Sequence, residues 1–187
     1  MSKLSWGKPR IFVKDLDTSG AKWKELNTPV EDSTELQPTK GDKMEAPVEG
    51  GEVEDVKYKA SKYALVYNIR KLKGRATPIP HTNGVASKNY AVILMPEDAT
   101  NLGFYIEKSS VTVDDNFKCA DGAAWNIQHD AIAASSGNTV KWGTVTIGTT
   151  TGSGSSTVDC ISFTETQMAE GQTVATEIEE EEVTLLS

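Results

Sequence analysis

In Tyr63-Ala64-Leu65-Val66-Tyr67-Asn68-Ile69-Arg70-Lys71-Leu72, large apolar side chains recur at every second position. Successive side chains of an extended strand point to opposite faces. The period therefore places Tyr63, Leu65, Tyr67 and Ile69 on one face and Ala64, Val66, Asn68 and Arg70 on the other. The same rhythm returns along the chain, and no stretch sustains the 3.6-residue apolar period of an amphipathic helix. The pattern predicts a mainly all-β chain: a β-sandwich or barrel-like domain with a long hairpin, an extended loop and at most one or two short helices, near 96–101 or 166–171.

Turn chemistry divides the strands. Asp17-Thr18-Ser19-Gly20 offers a side-chain acceptor and a permissive backbone, which predicts an opening hairpin between 11–13 and 22–26. Segments 52–58 and 63–72, separated by Lys59-Ala60-Ser61-Lys62, read as a second hairpin. Further strands are expected at 89–95, at 103–108 and 110–114 as a pair, at 124–132 with Trp125, Ile127 and His129 on one side, and at 158–164. In the strand expected at 139–147, Gly143 marks a bulge.

Residues 27–50 contain Pro29, Pro38, Pro47, Gly41 and Gly50 among many charges, so they read as a long loop or arm suited to contacting another subunit. The organisation expected is one β domain over 1–147, a Gly/Ser/Thr-rich flexible linker over 148–157, and a C-terminal strand with an acidic tail over 158–187.

The 187 residues carry a net charge of −8, which disfavours tight DNA or RNA binding. Without an apolar leader or a run of roughly 20 apolar residues, the chain is expected to be soluble and made in the cytosol. Cys119 and Cys160 lack metal-type spacing and read as buried or idle thiols, with a single bridge between them left open. His81 and His129 are the two histidines, so a multi-histidine metal site is excluded, and no G-x-S-x-G frame is present. Asp15-x-Asp17-x-Ser19-Gly20 starts like a calcium loop, but its twelfth position is Leu26, not a carboxylate. Gly50-Gly51 and Gly152-Ser153-Gly154 lack the Lys-Ser/Thr of a phosphate loop. Glu52, Glu54 and Asp55 have no partner to tune them as a catalytic pair. No catalytic, cofactor-binding or metal residue is assigned, no cofactor is expected, and the chain is read as a non-enzyme. The enzymatic alternative is a small hydrolase using His129 with Asp130 or Cys119. The binding alternative is a β-sandwich carbohydrate or adhesion module without catalytic activity, expected to carry an exposed aromatic platform.

The order Trp6-Gly7-Lys8-Pro9, a charged extended loop, Glu49-Gly50-Gly51-Glu52-Val53-Glu54-Asp55, then Lys62-Tyr63-Ala64-Leu65-Val66-Tyr67 and short strands resembles phage major tail (tail tube) proteins, particularly those of prophages in gut bacteria, over roughly residues 4–147. The resemblance implies a virion structural protein whose long hairpin joins an inner barrel when six copies close a ring, the rings stacking through the extended loop and terminal arms. It implies Glu52, Glu54, Tyr58, Tyr63, Leu65, Tyr67 and Ile69 as tube-forming hairpin residues, and Pro38, Gly41 and Pro47 as part of the inter-ring loop. The implied partners are other copies of the chain, tail proteins such as tape measure and terminator, and DNA passing through an acidic lumen without specific binding. The implied location is the virion tail, assembled in the bacterial cytoplasm. The stretch after Ile147 departs from the family's minimal pattern.

Overall fold

Ile11-Phe12-Val13 and Tyr90-Ala91-Val92-Ile93-Leu94-Met95 carry apolar side chains at consecutive positions, so strands built from them need cover on both faces. A computed structural model describes residues 7–120, 122–151, 157–167 and 176–186, and in it these strands form a wall between two cores. The strands are β1 (Arg10–Asp15), β2 (Trp23–Glu25), β3 (Glu35–Thr39), β4 (Lys43–Pro47), β5 (Val53–Tyr58), β6 (Lys62–Arg70), β7 (Val85–Met95), β8 (Gly103–Lys118), β9 (Gly122–Ala131), β10 (Lys141–Thr151), β11 (Thr157–Gln167) and β12 (Thr176–Thr184). The fold is all-β, and no helix occurs among the described residues.

Ten strands run in the order β10-β11-β12-β2-β1-β7-β8-β9-β6-β3, while β4 and β5 pair with each other. The start of β8 also pairs with β10, Tyr105 facing Lys141. That extra ladder closes β8, β7, β1, β2, β12, β11 and β10 on themselves as a barrel, with β12 beside β2 in a parallel pair. Inside lie Phe12, Trp23, Ile93, Tyr105, Ile161, Phe163, Ile178 and Val183. Against the outside of the shared β1-β7-β8 wall, Ile11, Val13, Tyr90, Val92 and Ile106 meet Leu65, Tyr67, Ile69, Trp125 and Ile127 from β6 and β9. The alternation of Ile11, Phe12 and Val13 between the two clusters is the period-2 geometry of one strand serving two cores.

β8 is a single strand of 16 residues, where the sequence predicts a pair at 103–108 and 110–114. No turn residue interrupts 107–110; instead a register shift between Tyr90 and Val92 on β7 absorbs the break. Ser109 is thereby turned inward, its hydroxyl donating to the Tyr90 carbonyl at 2.8 Å. The expected bulge at Gly143 is present as a register shift between Trp142 and Gly143. Gly143 faces Gly103 across the barrel seam, and a Cβ on Gly143 would lie 2.0 Å from the Thr164 carbonyl oxygen. Glycine at 143 thus lets β10 approach the β11 backbone at the bulge, and glycine at 103 lets β8 approach β7, where a Cβ would lie 2.4 Å from the Leu94 carbonyl oxygen.

The hairpin expected between 52–58 and 63–72 is not formed. β5 pairs with β4, and β6 pairs with β3 on one side and β9 on the other. Lys59-Ala60-Ser61 contains no glycine, proline, asparagine or aspartate, and the ribbon runs on through it instead of turning back. Residues 27–50, expected as a loop, contain both partners, β3 and β4. Of the expected linker, 148–151 lie in β10 and Thr157 opens β11, Thr151 facing Thr157 in a long hairpin; 152–156 lie outside the described residues. The acidic run 177–182 belongs to β12, paired antiparallel with β11. Residues 96–101 form turns, not a helix, Thr166 and Gln167 belong to β11, and 168–171 lie outside the described residues. The opening hairpin and the strands around 89–95, 124–132 and 158–164 are present.

Gly143→Ala is expected to lower stability by roughly 2–3 kcal/mol through overpacking against the β11 backbone at Thr164. Urea unfolding checks this, and an unchanged midpoint would show that the β10–β11 bulge yields without cost.

Candidate assembly surfaces

The pairing of β3 with β6 and of β4 with β5 builds one long ribbon. Thr39 faces Lys62 and, after a break of residues 40–42 and 59–61, Lys43 faces Tyr58, so the register carries straight across. At the break, the Lys59 amide donates to the Asp42 carbonyl at 2.9 Å. A Cβ on Gly41 would meet the Lys59 carbonyl oxygen at 2.0 Å, so glycine permits this close crossing. The tip is turned by Gly50 and Gly51, both at positive φ, with the Val48 amide donating to Glu52.

Beyond the break every residue of β4 and β5 is exposed on both faces, over a reach of roughly 25 Å from Lys43 to the tip at strand rise. Pairing puts Tyr58, Val56, Val53 and Pro47 on one face together with Lys43 and Glu45, which pair with each other, and leaves Glu54 as the unopposed bulge residue. Tyr58 is 59% exposed and Val53 45%. A two-stranded ribbon has marginal stability in water, and burying Val53, Val56 and Tyr58 against another surface contributes on the order of 1–2 kcal/mol each.

The structure divides the residues expected in a tube-forming hairpin. Leu65, Tyr67 and Ile69 are enclosed in the outer core and Tyr63 is half-buried. Glu52, Glu54 and Tyr58 lie on the exposed ribbon end. Pro38 sits on β3, the outer edge of the large sheet, where a missing N–H blunts further pairing. Gly41 is at the crossing and Pro47 ends β4. Met44 and Val56 extend the exposed surface without having been singled out by the sequence; apolar residues alternating with charge in 53–58 were the available signal.

Glutamates of β12 serve as internal partners. Glu181 receives the Lys14 ammonium at 2.5 Å and the Trp23 indole N–H at 2.6 Å, and Glu182 receives Lys22 at 2.5 Å. Lys141, 1% exposed, places its ammonium 2.6 Å from Glu177 and 3.7 Å from Glu107. Beside it, burial and the Glu177 carboxylate raise the Glu165 pKa above the ordinary carboxylate range. Arg10 forks onto Glu25, which also accepts the Leu186 amide, anchoring the segment after β12.

His129 is enclosed, its Nε2 2.9 Å from the Tyr67 hydroxyl and its Nδ1 3.0 Å from Ser109 Oγ. Because the Ser109 proton goes to the Tyr90 carbonyl, Nδ1–H must donate to Oγ and Tyr67 must donate to Nε2. This is a closed chain tying β6, β9, β8 and β7. Neither Asp130 nor Cys119 bonds the ring: Asp130 accepts from Gln128, and Cys119 is exposed while Cys160 is buried, both as free thiols. Nor does the serine-histidine contact open onto solvent, Ser109 being fully buried. His81 donates from Nδ1 to the Ile79 carbonyl. Asp15 receives the Asp17 and Thr18 amides and Lys88, an ordinary turn cap, and no group of three metal-type ligands occurs among the described residues.

Two surface clefts differ in character. One, about 660 Å³, has Leu36, Leu94 and Phe104 inside and Glu31, Asp32 and Glu97 at its rim. The other, about 320 Å³, lies over β1, β2 and β7 and is rimmed by lysines. No protein-family model matches the chain, and no curated protein sequence matches it either.

Burial lowers the His129 pKa to about 3, against about 6.5 for the free side chain. The unfolded chain therefore takes up a proton that the folded chain refuses. Stability from this group is complete above pH 6.5 and falls as pH drops toward 3, by about 1.4 kcal/mol per pH unit. Chemical unfolding between pH 6 and 4.5 should show that slope in the native chain and lose about one proton's worth of it in His129→Leu. Equal slopes would mean the ring is protonated within the fold.

Proposed function

We propose that the chain is a structural virion protein that self-assembles into stacked six-membered rings, forming a phage tail tube through which DNA passes. The observation that carries this reading is the ribbon of 43–58, exposed along its whole length, with Tyr58, Val56, Val53 and Pro47 gathered on one face around the Lys43–Glu45 ion pair. A free monomer gains nothing from such an element, whereas neighbouring copies would cover these apolar side chains and restrict its motion. A net charge of −8 suits a wall along which DNA slides without sticking. Tape measure and terminator proteins are the further partners of this reading, and the virion tail is its location.

The resemblance assigned tube formation to a 52–72 hairpin and ring stacking to 27–50. With the strands paired as found, both segments belong to one ribbon, so the reading assigns inter-copy contact to its exposed end and positioning to β3 and β6. Against the adhesion alternative, Trp23, Trp125, Tyr67 and Tyr105 are committed to the cores, and the large exposed aromatics among the described residues, Tyr58 and Phe117, lie on different strands, β5 and β8.

Negative-stain microscopy with light scattering on concentrated protein should show rings of one diameter and their stacks. Replacing 43–58 by Asn-Gly, which closes a two-residue hairpin where Asp42 already meets Lys59, should leave the circular dichroism spectrum β-rich and abolish the stacks. A native chain that stays monomeric up to millimolar concentration would sink the proposal.

A further inference from the structure

The ribbon end and the lysine-rimmed cleft are complementary in charge and in apolar content. Residues 43–58 hold Glu45, Glu49, Glu52, Glu54 and Asp55 against Lys43 and Lys57, a net of −3. The cleft over β1, β2 and β7 has a floor of Pro78, Pro80 and Tyr90, and three lysines line it against one aspartate, Asp15. With Lys22 paired to Glu182 and Lys88 to Asp15, the uncompensated positive charge at this rim is that of Lys24, in a chain whose overall charge is −8. The 660 Å³ cleft, by contrast, has an acidic rim that would repel the tip.

We infer that the cleft formed by Lys22, Lys24, Lys88, Pro78, Pro80 and Tyr90 receives the ribbon tip of a second copy of this chain, Val53 resting on the proline-tyrosine floor and Glu52 and Glu54 meeting the lysines. The inference rests on the self-assembly reading and assigns its receiving surface. Lys22 and Lys88 already hold Glu182 and Asp15, at 2.5 and 2.6 Å. An ammonium has three donors, so each retains capacity for a further carboxylate. Lys24 is exposed on β2, between the inward-facing Trp23 and Glu25, and no ion pair is recorded for it among the described residues. It is the cation with most to gain. A volume of about 320 Å³ admits side chains and not a folded element, which selects the narrow tip over the ribbon's broad face. At that end the ribbon is exposed on both faces and pairs with no other strand among the described residues, so docking breaks no ladder there.

The same geometry explains why a variant should be made at Lys24 and not at Lys22 or Lys88, whose loss would also open pairs within the subunit. Assembly of the full-length native chain is measured by light scattering as a critical concentration, beside Lys24→Glu, Glu52→Lys with Glu54→Lys, and the three changes together. Each reversal should raise the critical concentration about tenfold or more, and added salt should raise that of the native chain. The triple variant should return to within about threefold of native. Native-like assembly by either reversal, or failure of the triple variant to recover when both reversals impair, would overturn the cleft assignment while leaving self-assembly standing. Absence of assembly by the native chain would remove both.

Discussion

The fold depends on β8 being hydrogen-bonded to two sets of neighbours. Its first residues pair with β7 and β10 and close the barrel, and its later residues pair with β7 and β9 and carry the outer sheet. One strand can do this because strand alternation presents Phe104 and Ile106 to one core and Tyr105 to the other, and a register shift beyond Ile106 then turns Ser109 inward for the buried histidine chain. The wall of β1, β7 and β8 is consequently apolar on both faces. The ribbon hangs from strands anchored on this wall through β9 and β6.

Polar groups finish what the apolar wall begins. β12 meets β2 in parallel at Val183 and Trp23, a short ladder by itself. Lys14, Lys22, Lys141 and the Trp23 indole each hold a glutamate of β12, so the strand is fastened on both sides of its single buried row, Ile178 and Val183. Burying a charge pair such as Lys141 and Glu177 adds little net stability but strongly disfavours any arrangement that separates the two, and so fixes register.

The all-β class and the inward face of β6 were legible because alternation is a local signal, readable in ten residues. The bulge at Gly143 was legible because glycine inside a strand has few other uses. Pairing was not. Whether 53–58 folds back on 63–70 or continues past it depends on β3 and β4, hidden in a proline-bearing, charged stretch whose strands are stabilised by partners distant in sequence. The Glu-rich run of 177–182 likewise reads as solvated until the lysines of β1, the β1-β2 turn and β10 are placed beside it. Of the surfaces argued to meet other copies, Pro38, Gly41 and Pro47 were visible by type, whereas the lysine-rimmed cleft draws on three separated segments and has no linear trace.

Closure by β12 also sets an order of events during synthesis. Trp23 and Glu181 are 158 residues apart, so β2 emerges from the ribosome long before the strand that completes its ladder exists. Until then the nascent chain holds β2 and β11 with open edges and the inner core unsealed, a state with exposed Phe163 and Trp23. Loop closure over such a span is slow, and the interval favours chaperone capture or pairing with a sister chain. For this topology the barrel stays unsealed until β12 has been made, and premature termination before residue 176 would yield not a shortened subunit but an unsealed one.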